Sequence, residues 1–178
     1  MTRIFRIDVD GATGWVATMA RPEAGDADDL RGLGVRHLVC MLETDEIRDL
    51  GLQALRDECT AVGVAWHHVP VADRGVPTGD DARAMLQLAM RLASAVRAGE
   101  PVVTHCRGGI GRSTLMAALV LRVLGYSADD ALDAIRHARG CPVPDTPEQR
   151  EWLRRVELPS ADDTADESAR DAFNRLFE

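Results

Sequence analysis

At 178 residues with a hydrophobic share of 46%, the chain is long enough to bury one substantial core and short for two. No apolar stretch approaches the ~20 residues of a membrane span. A formal net charge of −8 argues against a general binder of nucleic acid or of anionic membrane, both of which depend on basic surface.

Residues 4 to 9 and Trp15 to Met19 read as two early β runs, with sheet edges as their expected place. Asp26 to Leu33 has the acidic first turn of a short helix, and Gly34 is its stop. Val35 to Leu42 carries few polar residues and is expected as a central strand. Glu43 to Leu50 and Leu52 to Val62 follow as helical segments, then Val64 to Val69 as a strand that Pro70 ends. Thr78 stands as an N-cap before a long amphipathic helix whose apolar face runs through Met85, Leu88, Ala89, Leu92 and Val96 to Gly99. A strand over 101–104 comes next, followed by a glycine-rich turn and a helix from Arg112 with so little polar surface that burial at the centre of the domain is expected. Ser127 opens a helix running to about Arg139, and Thr146-Pro147-Glu148-Gln149 opens another through Val156. Strand and helix thus alternate, which predicts an α/β domain with a mainly parallel central sheet flanked by helices. Residues 1–158 are expected to form that single domain. Residues 159–178 read as an acidic linker that ends in a short docking helix near Ala169 to Phe177.

The segment His105-Cys106-Arg107-Gly108-Gly109-Ile110-Gly111-Arg112-Ser113 is where chemistry is expected. Glycines 108, 109 and 111 let the backbone curl so that successive N–H groups point inward, and the helix start adds the positive end of its dipole. A cysteine at the base of such a turn is favoured as thiolate, the nucleophilic form. Arg112 returns to the same rim with a guanidinium that grips two oxygens of a tetrahedral oxyanion. The loop N–H groups from Arg107 through Gly108, Gly109, Ile110 and Gly111, with the Arg112 fork, form the expected anion-binding surface. A lone buried cysteine or a plain turn would explain either half of the pattern, but not both together.

His-Cys-x5-Arg-Ser, here His105 to Ser113, resembles the signature loop of the cysteine-dependent protein tyrosine and dual-specificity phosphatases. The block Trp66-His67-His68-Val69-Pro70-Val71-Ala72-Asp73-Arg74-Gly75-Val76-Pro77 resembles the general-acid loop of the cyclin-dependent-kinase-associated phosphatase group within them. The likeness covers roughly residues 12 to 157 and implies the same fold. It implies that Cys106 attacks phosphorus to give a cysteinyl-phosphate, that Asp73 protonates the leaving oxygen and later acts as base, and that Ser113 hydrogen-bonds the departing thiolate. His105 is expected to order the loop. Gln149 stands where family members place a glutamine that orients the attacking water, and it equally fits a capping box with Thr146. Arg74 and Arg107 lie in the two loops, where they would either meet a second substrate charge or be ordinary solvated arginines. Cys40 reads as a core cysteine, although some members of the family shield an oxidised nucleophile with a cysteine on a neighbouring strand.

The expected substrate is a phosphorylated protein, with phosphotyrosine and also phosphoserine or phosphothreonine accepted, since no aromatic clamp lines a deep pocket. Alternatives are a non-protein phosphate ester, sulfur transfer or arsenate reduction, and a silent phospho-binding module. Inositol-lipid members carry lysines in the loop, and this chain has none. The N-terminus lacks a signal peptide's apolar core, so a cytoplasmic location is expected. The four cysteines lack C-x-x-C spacing, and His67 and His68 lack further ligands, so neither a disulfide, a metal nor a cofactor is expected.

Overall fold

The computed structural model describes residues 3–158 except Ala24. The segment read as linker and C-terminal helix, 159–178, lies outside the described residues.

Five strands form one sheet: β1 (Phe5–Asp8), β2 (Trp15–Met19), β3 (His37–Cys40), β4 (Ala65–His68) and β5 (Val102–His105). They lie in the order β1-β2-β5-β3-β4, with β1 antiparallel to β2 and every other pairing parallel. The sheet is therefore mixed and mostly parallel, as the alternation of elements implied. β1 does sit at an edge. β2 does not, because β5 pairs along its other side, and all five residues of β2 are buried.

Helices cover both faces. On one side α4 (Gly79–Arg97), α5 (Arg112–Val123), α6 (Ala128–Arg139) and α7 (Pro147–Arg155) pack over Ile7, Val16, Val39 and Val102. On the other, α1 (Asp26–Gly32) and α3 (Leu55–Ala61) pack over Trp15, Ala17, Leu38 and Val103. Burial on both faces is why the inner strands read as continuous apolar runs. It also makes α5 the most enclosed helix, buried from Arg112 to Leu121.

One cap differs from its sequence reading. Thr78 has the extended backbone of an N-cap, but its side chain makes no capping bond. α2 (Thr44–Asp49) is instead closed by a reciprocal box between Glu43 and Glu46, with the Glu43 N–H donating to Glu46 at 3.0 Å. The expected Ser127 cap is present and accepts from the Asp130 N–H at 3.1 Å.

The parallel strands all deliver their carboxyl ends to one edge of the sheet, where ligands of such folds gather. β5 opens there into the glycine-rich loop, β3 into α2, and β4 into the loop that carries Asp73. Pairing continues past the strands, with the Met41 N–H on His105 O at 2.9 Å and the Val69 N–H on Cys40 O at 2.9 Å.

Candidate active site

The loop after β5 is fixed from below. Thr104 sends its hydroxyl to Ser113 O at 2.8 Å, tying the strand to the first turn of α5. His105, fully buried, lies with Nδ1 3.4 Å from Cys106 O. Burial pushes its imidazole down to about 4, so it is neutral and cannot serve as a cation under the anion site.

Cys106 is 3% exposed and faces into the loop. The Gly109 N–H donates to its Sγ at 3.2 Å, and its Sγ lies 3.4 Å from the Ser113 hydroxyl oxygen. Of the three glycines, Gly109 is sterically required. Gly109 has φ +72°, and a Cβ there would come within 2.4 Å of the Met19 backbone. One on Gly111 would meet Asp145 Oδ2 at 2.4 Å and Gln149 Oε1 at 3.0 Å. Gly108 has open space around it, so its place in the motif is not dictated by packing. The Ile110 carbonyl accepts the Thr114 hydroxyl, and the Arg107 carbonyl accepts the Arg21 N–H at 3.0 Å while its side chain is exposed.

Arg112, the first residue of α5, is 2% exposed and heavily bonded. Glu46 takes both ends of its fork, Oε2 from NH1 and Oε1 from NH2, the latter at 3.0 Å. NH1 also donates to Val71 O at 3.1 Å, and NH2 lies 3.0 Å from Asp73 Oδ1. Burial opposes the Arg112 charge, yet the Glu46 hydrogen bond and charge, joined by Cys106 and Asp73, hold its basicity above the ordinary value. The same hydrogen bond is the main reason the Glu46 carboxyl stays below its usual value of 4.5.

The Asp73 loop is thus docked on the cradle. Its tip turns through Asp73 and Arg74, closed by Gly75 N–H to Ala72 O at 2.9 Å, with Arg74 in the left-handed region at φ 60°. Asp73 itself is well exposed. Gln149 secures the loop's far side: its Nε2 donates to Gly75 O at 3.0 Å while its Oε1 is buried without a partner. The capping box expected at Thr146 is therefore only half formed. Thr146 Oγ1 accepts the Gln149 backbone N–H at 3.2 Å, but the Gln149 side chain turns away into the site.

Asp73, Cys106, Arg112, Ser113 and Gln149 all come to this edge of the sheet. Sequence reasoning missed Glu46. Glu46 is 66 residues from Arg112 and on a helix after a different strand, so no spacing rule could join them. His67 is drawn off to the sheet's outer part, where its Nε2 lies 3.1 Å from His37 Nδ1; burial pushes it down to about 4. His68 Nε2 bonds Leu42 O at 2.8 Å and so braces the segment leading to α2. Among the described residues no group of three or more His, Cys, Asp or Glu side chains could hold a metal ion. Cys40 pairs opposite His105, and burial pushes its thiol up to about 12.

A family model described as "Polymorphic toxin system, DSP-PTPase phosphatase" matches residues 14–125. The chain belongs to this phosphatase family. It is 28% identical over 130 residues to Cyclin-dependent kinase inhibitor 3 of Homo sapiens, covering 72% of this chain and 60% of the relative. The chain thus spans about three fifths of the length of the curated relatives it matches. Among solved structures, kinase associated phosphatase, with serine in place of its catalytic-site cysteine, superposes with a TM-score of 0.75 at 23% identity. The match covers 85% of this chain and 92% of that one, and it establishes the fold. Tk-PTP in its active form gives a TM-score of 0.66 at 28% identity over 85% and 97% of the two chains. The likeness to the kinase-associated group inferred from the two loops is therefore upheld.

Proposed function

We propose that residues 1–158 form a protein phosphatase domain that hydrolyses phosphotyrosine, and also phosphoserine and phosphothreonine, through a cysteinyl-phosphate. The observation that carries this reading is the convergence on one buried sulfur of the Gly109 N–H and the Ser113 hydroxyl, beside an arginine shared with Asp73. Phosphate oxygens entering the loop replace Asp73 on Arg112 and meet the inward N–H groups, which leaves the Asp73 carboxyl free to serve the ester oxygen. Cys106 Sγ attacks phosphorus, the P–O bond to the leaving group breaks, and Asp73 gives that oxygen its proton. Water then attacks the thiophosphate with Asp73 taking its proton. Gln149 Oε1, the unpartnered acceptor at the rim of the loop, suits the water-orienting role. As the S–P bond breaks, Ser113 donates to the emerging thiolate. The transition state is loose and its charge sits on the non-bridging oxygens, so the amides and Arg112 supply most of the stabilisation.

An acid in its own loop is needed for an ester leaving group, which disfavours sulfur transfer and arsenate reduction. A silent binding module is disfavoured because cysteine, arginine and acid are all present together. No helix among the described residues is long and apolar enough to cross a membrane. The family description ties such phosphatases to polymorphic toxin systems, so substrates are to be sought among phosphoproteins of a cell the chain intoxicates as well as of the cell that makes it.

The test is p-nitrophenyl phosphate turnover in the presence of chelator. Cys106→Ser should abolish it and Asp73→Asn should lower it ~10²-fold or more. Dependence on a metal, or an active serine variant, would reject the mechanism.

A further inference from the structure

The peptide unit between Gly108 and Gly109 is bonded on both sides. Its N–H, on Gly109, donates inward to Cys106 Sγ at 3.2 Å. Its carbonyl, on Gly108, accepts from outside the loop, from Arg139 NH2 at 3.2 Å. In a planar trans unit the N–H and C=O point in opposite directions, so whatever fixes the carbonyl outward fixes the N–H inward. The unit lies between two glycines, whose backbones lack the side-chain restriction that would disfavour the flipped orientation, and a Cβ on Gly108 would meet nothing. Turned over, it would offer a carbonyl oxygen to the sulfur and to any bound anion.

Arg139 is placed for this contact at a cost. It ends α6, its guanidinium carbon lies 4.0 Å over the Phe5 ring of β1, and its Nε and NH1 are buried without a hydrogen-bond partner. Burying two unpartnered nitrogens while the third bonds one carbonyl is poor as a stabilising device, because unsatisfied buried donors cost free energy that a single hydrogen bond and a ring contact only partly offset. The arrangement makes sense as positioning. A cation on the carbonyl also polarises the unit and so strengthens the N–H on the opposite side as a donor.

We propose that Arg139, steadied on the Phe5 ring, is a positioning residue of the oxyanion cradle, holding the Gly108–Gly109 peptide with its N–H turned toward Cys106 and the phosphate. It does not touch substrate. The inference rests on the reading of the loop as a phosphate cradle, but it is measured by anion binding as well as by turnover.

The experiment compares wild type with Arg139→Met, which keeps the side chain's bulk and removes the donor, using calorimetric binding of inorganic phosphate beside kcat and KM for p-nitrophenyl phosphate. Arg139→Met should weaken phosphate binding and lower kcat/KM by about tenfold, the lower end for a charge-assisted bond acting at one remove. Arg139→Lys, retaining a cation and a donor, should stay within about threefold of wild type on both readouts. In Arg139→Ala, added methylguanidinium should restore phosphate binding, a response that a merely structural role would not give. Arg136→Met removes a nearby guanidinium that pairs with Asp133 at 3.0 Å, and it should leave both readouts unchanged. Undiminished phosphate binding by the methionine variant, an equal loss in Arg136→Met, or no phosphate binding by wild type would overturn the proposal. Wild type that binds phosphate but does not turn over the ester would instead defeat the hydrolase reading and leave this one standing.

Discussion

Glu46→Gln probes what holds the arginine of the site. The carboxylate accepts from both terminal nitrogens of Arg112 and from the Glu43 N–H, and its side chain is 18% exposed against 2% for Arg112. Removing one partner of a buried ion pair costs roughly 3–5 kcal/mol. Glutamine keeps one acceptor, and Arg112 keeps Val71 O and Asp73, so the expected loss of unfolding free energy is smaller, about 2 kcal/mol. The substitution also loosens the hold on the guanidinium, so that it leaves the orientation in which an oxyanion would meet it. A comparable loss from the transition state corresponds to a ~30-fold fall in kcat/KM. The pH dependence has a definite sign. Glu46 is depressed below its usual 4.5 in the folded chain, chiefly by the Arg112 hydrogen bond, so its contribution is complete above that value and is lost as pH falls through the lower, folded value. In urea titrations the stability gap between wild type and Glu46→Gln should therefore be full at neutral pH and shrink progressively below about 4.5. A gap that does not change with acidification, or unchanged kcat/KM, would refute the role given to this pair.

Two further substitutions separate the parts of the loop. Gln149→Ala should slow breakdown of the phosphoenzyme about tenfold while leaving its formation nearly unchanged, seen as a larger burst followed by slower steady-state release of p-nitrophenol; an unchanged burst and turnover would reduce the side chain to its hold on Gly75. Arg74→Gly should raise unfolding stability by about 0.5 kcal/mol, because the left-handed conformation costs an L-residue ~1–2 kcal/mol and the added freedom of glycine in the unfolded chain returns part of that. Arg74→Val should be destabilising in the same denaturant series.

What was legible in the sequence is what short-range constraint writes there. Gly109 has no room for a side chain, and the residues on either side of it must be those that a thiolate and an oxyanion need, so the loop could be read as a unit. The elements themselves followed from apolar periodicity, down to β2 and the buried α5. Pairing order was not legible. Nothing in residues 101–105 says that β5 inserts between β2 and β3, and that insertion alone moved β2 from an edge to the interior. Glu46 escaped for a related reason: its partner is reached across the sheet edge, and its own helix is capped by Glu43, an uncommon residue at that position. The Gln149 backbone obeyed the cap rule while its side chain answered to the acid loop, a choice that only tertiary packing decides. Arg139 looked like an ordinary basic residue closing a helix, and its contact with Gly108 depends on the antiparallel edge strand that supplies Phe5.

The central claim is that Cys106 carries the phosphoryl group between two half-reactions. It is tested most directly by mixing the Gln149→Ala chain with p-nitrophenyl phosphate, quenching in the millisecond range, and mapping the modified peptide by mass spectrometry. A phosphoryl group on Cys106, stoichiometric with the released p-nitrophenol of the burst and absent in Cys106→Ser, is the expected result. Release of p-nitrophenol with no phosphorylated Cys106 peptide at any quench time would contradict the account.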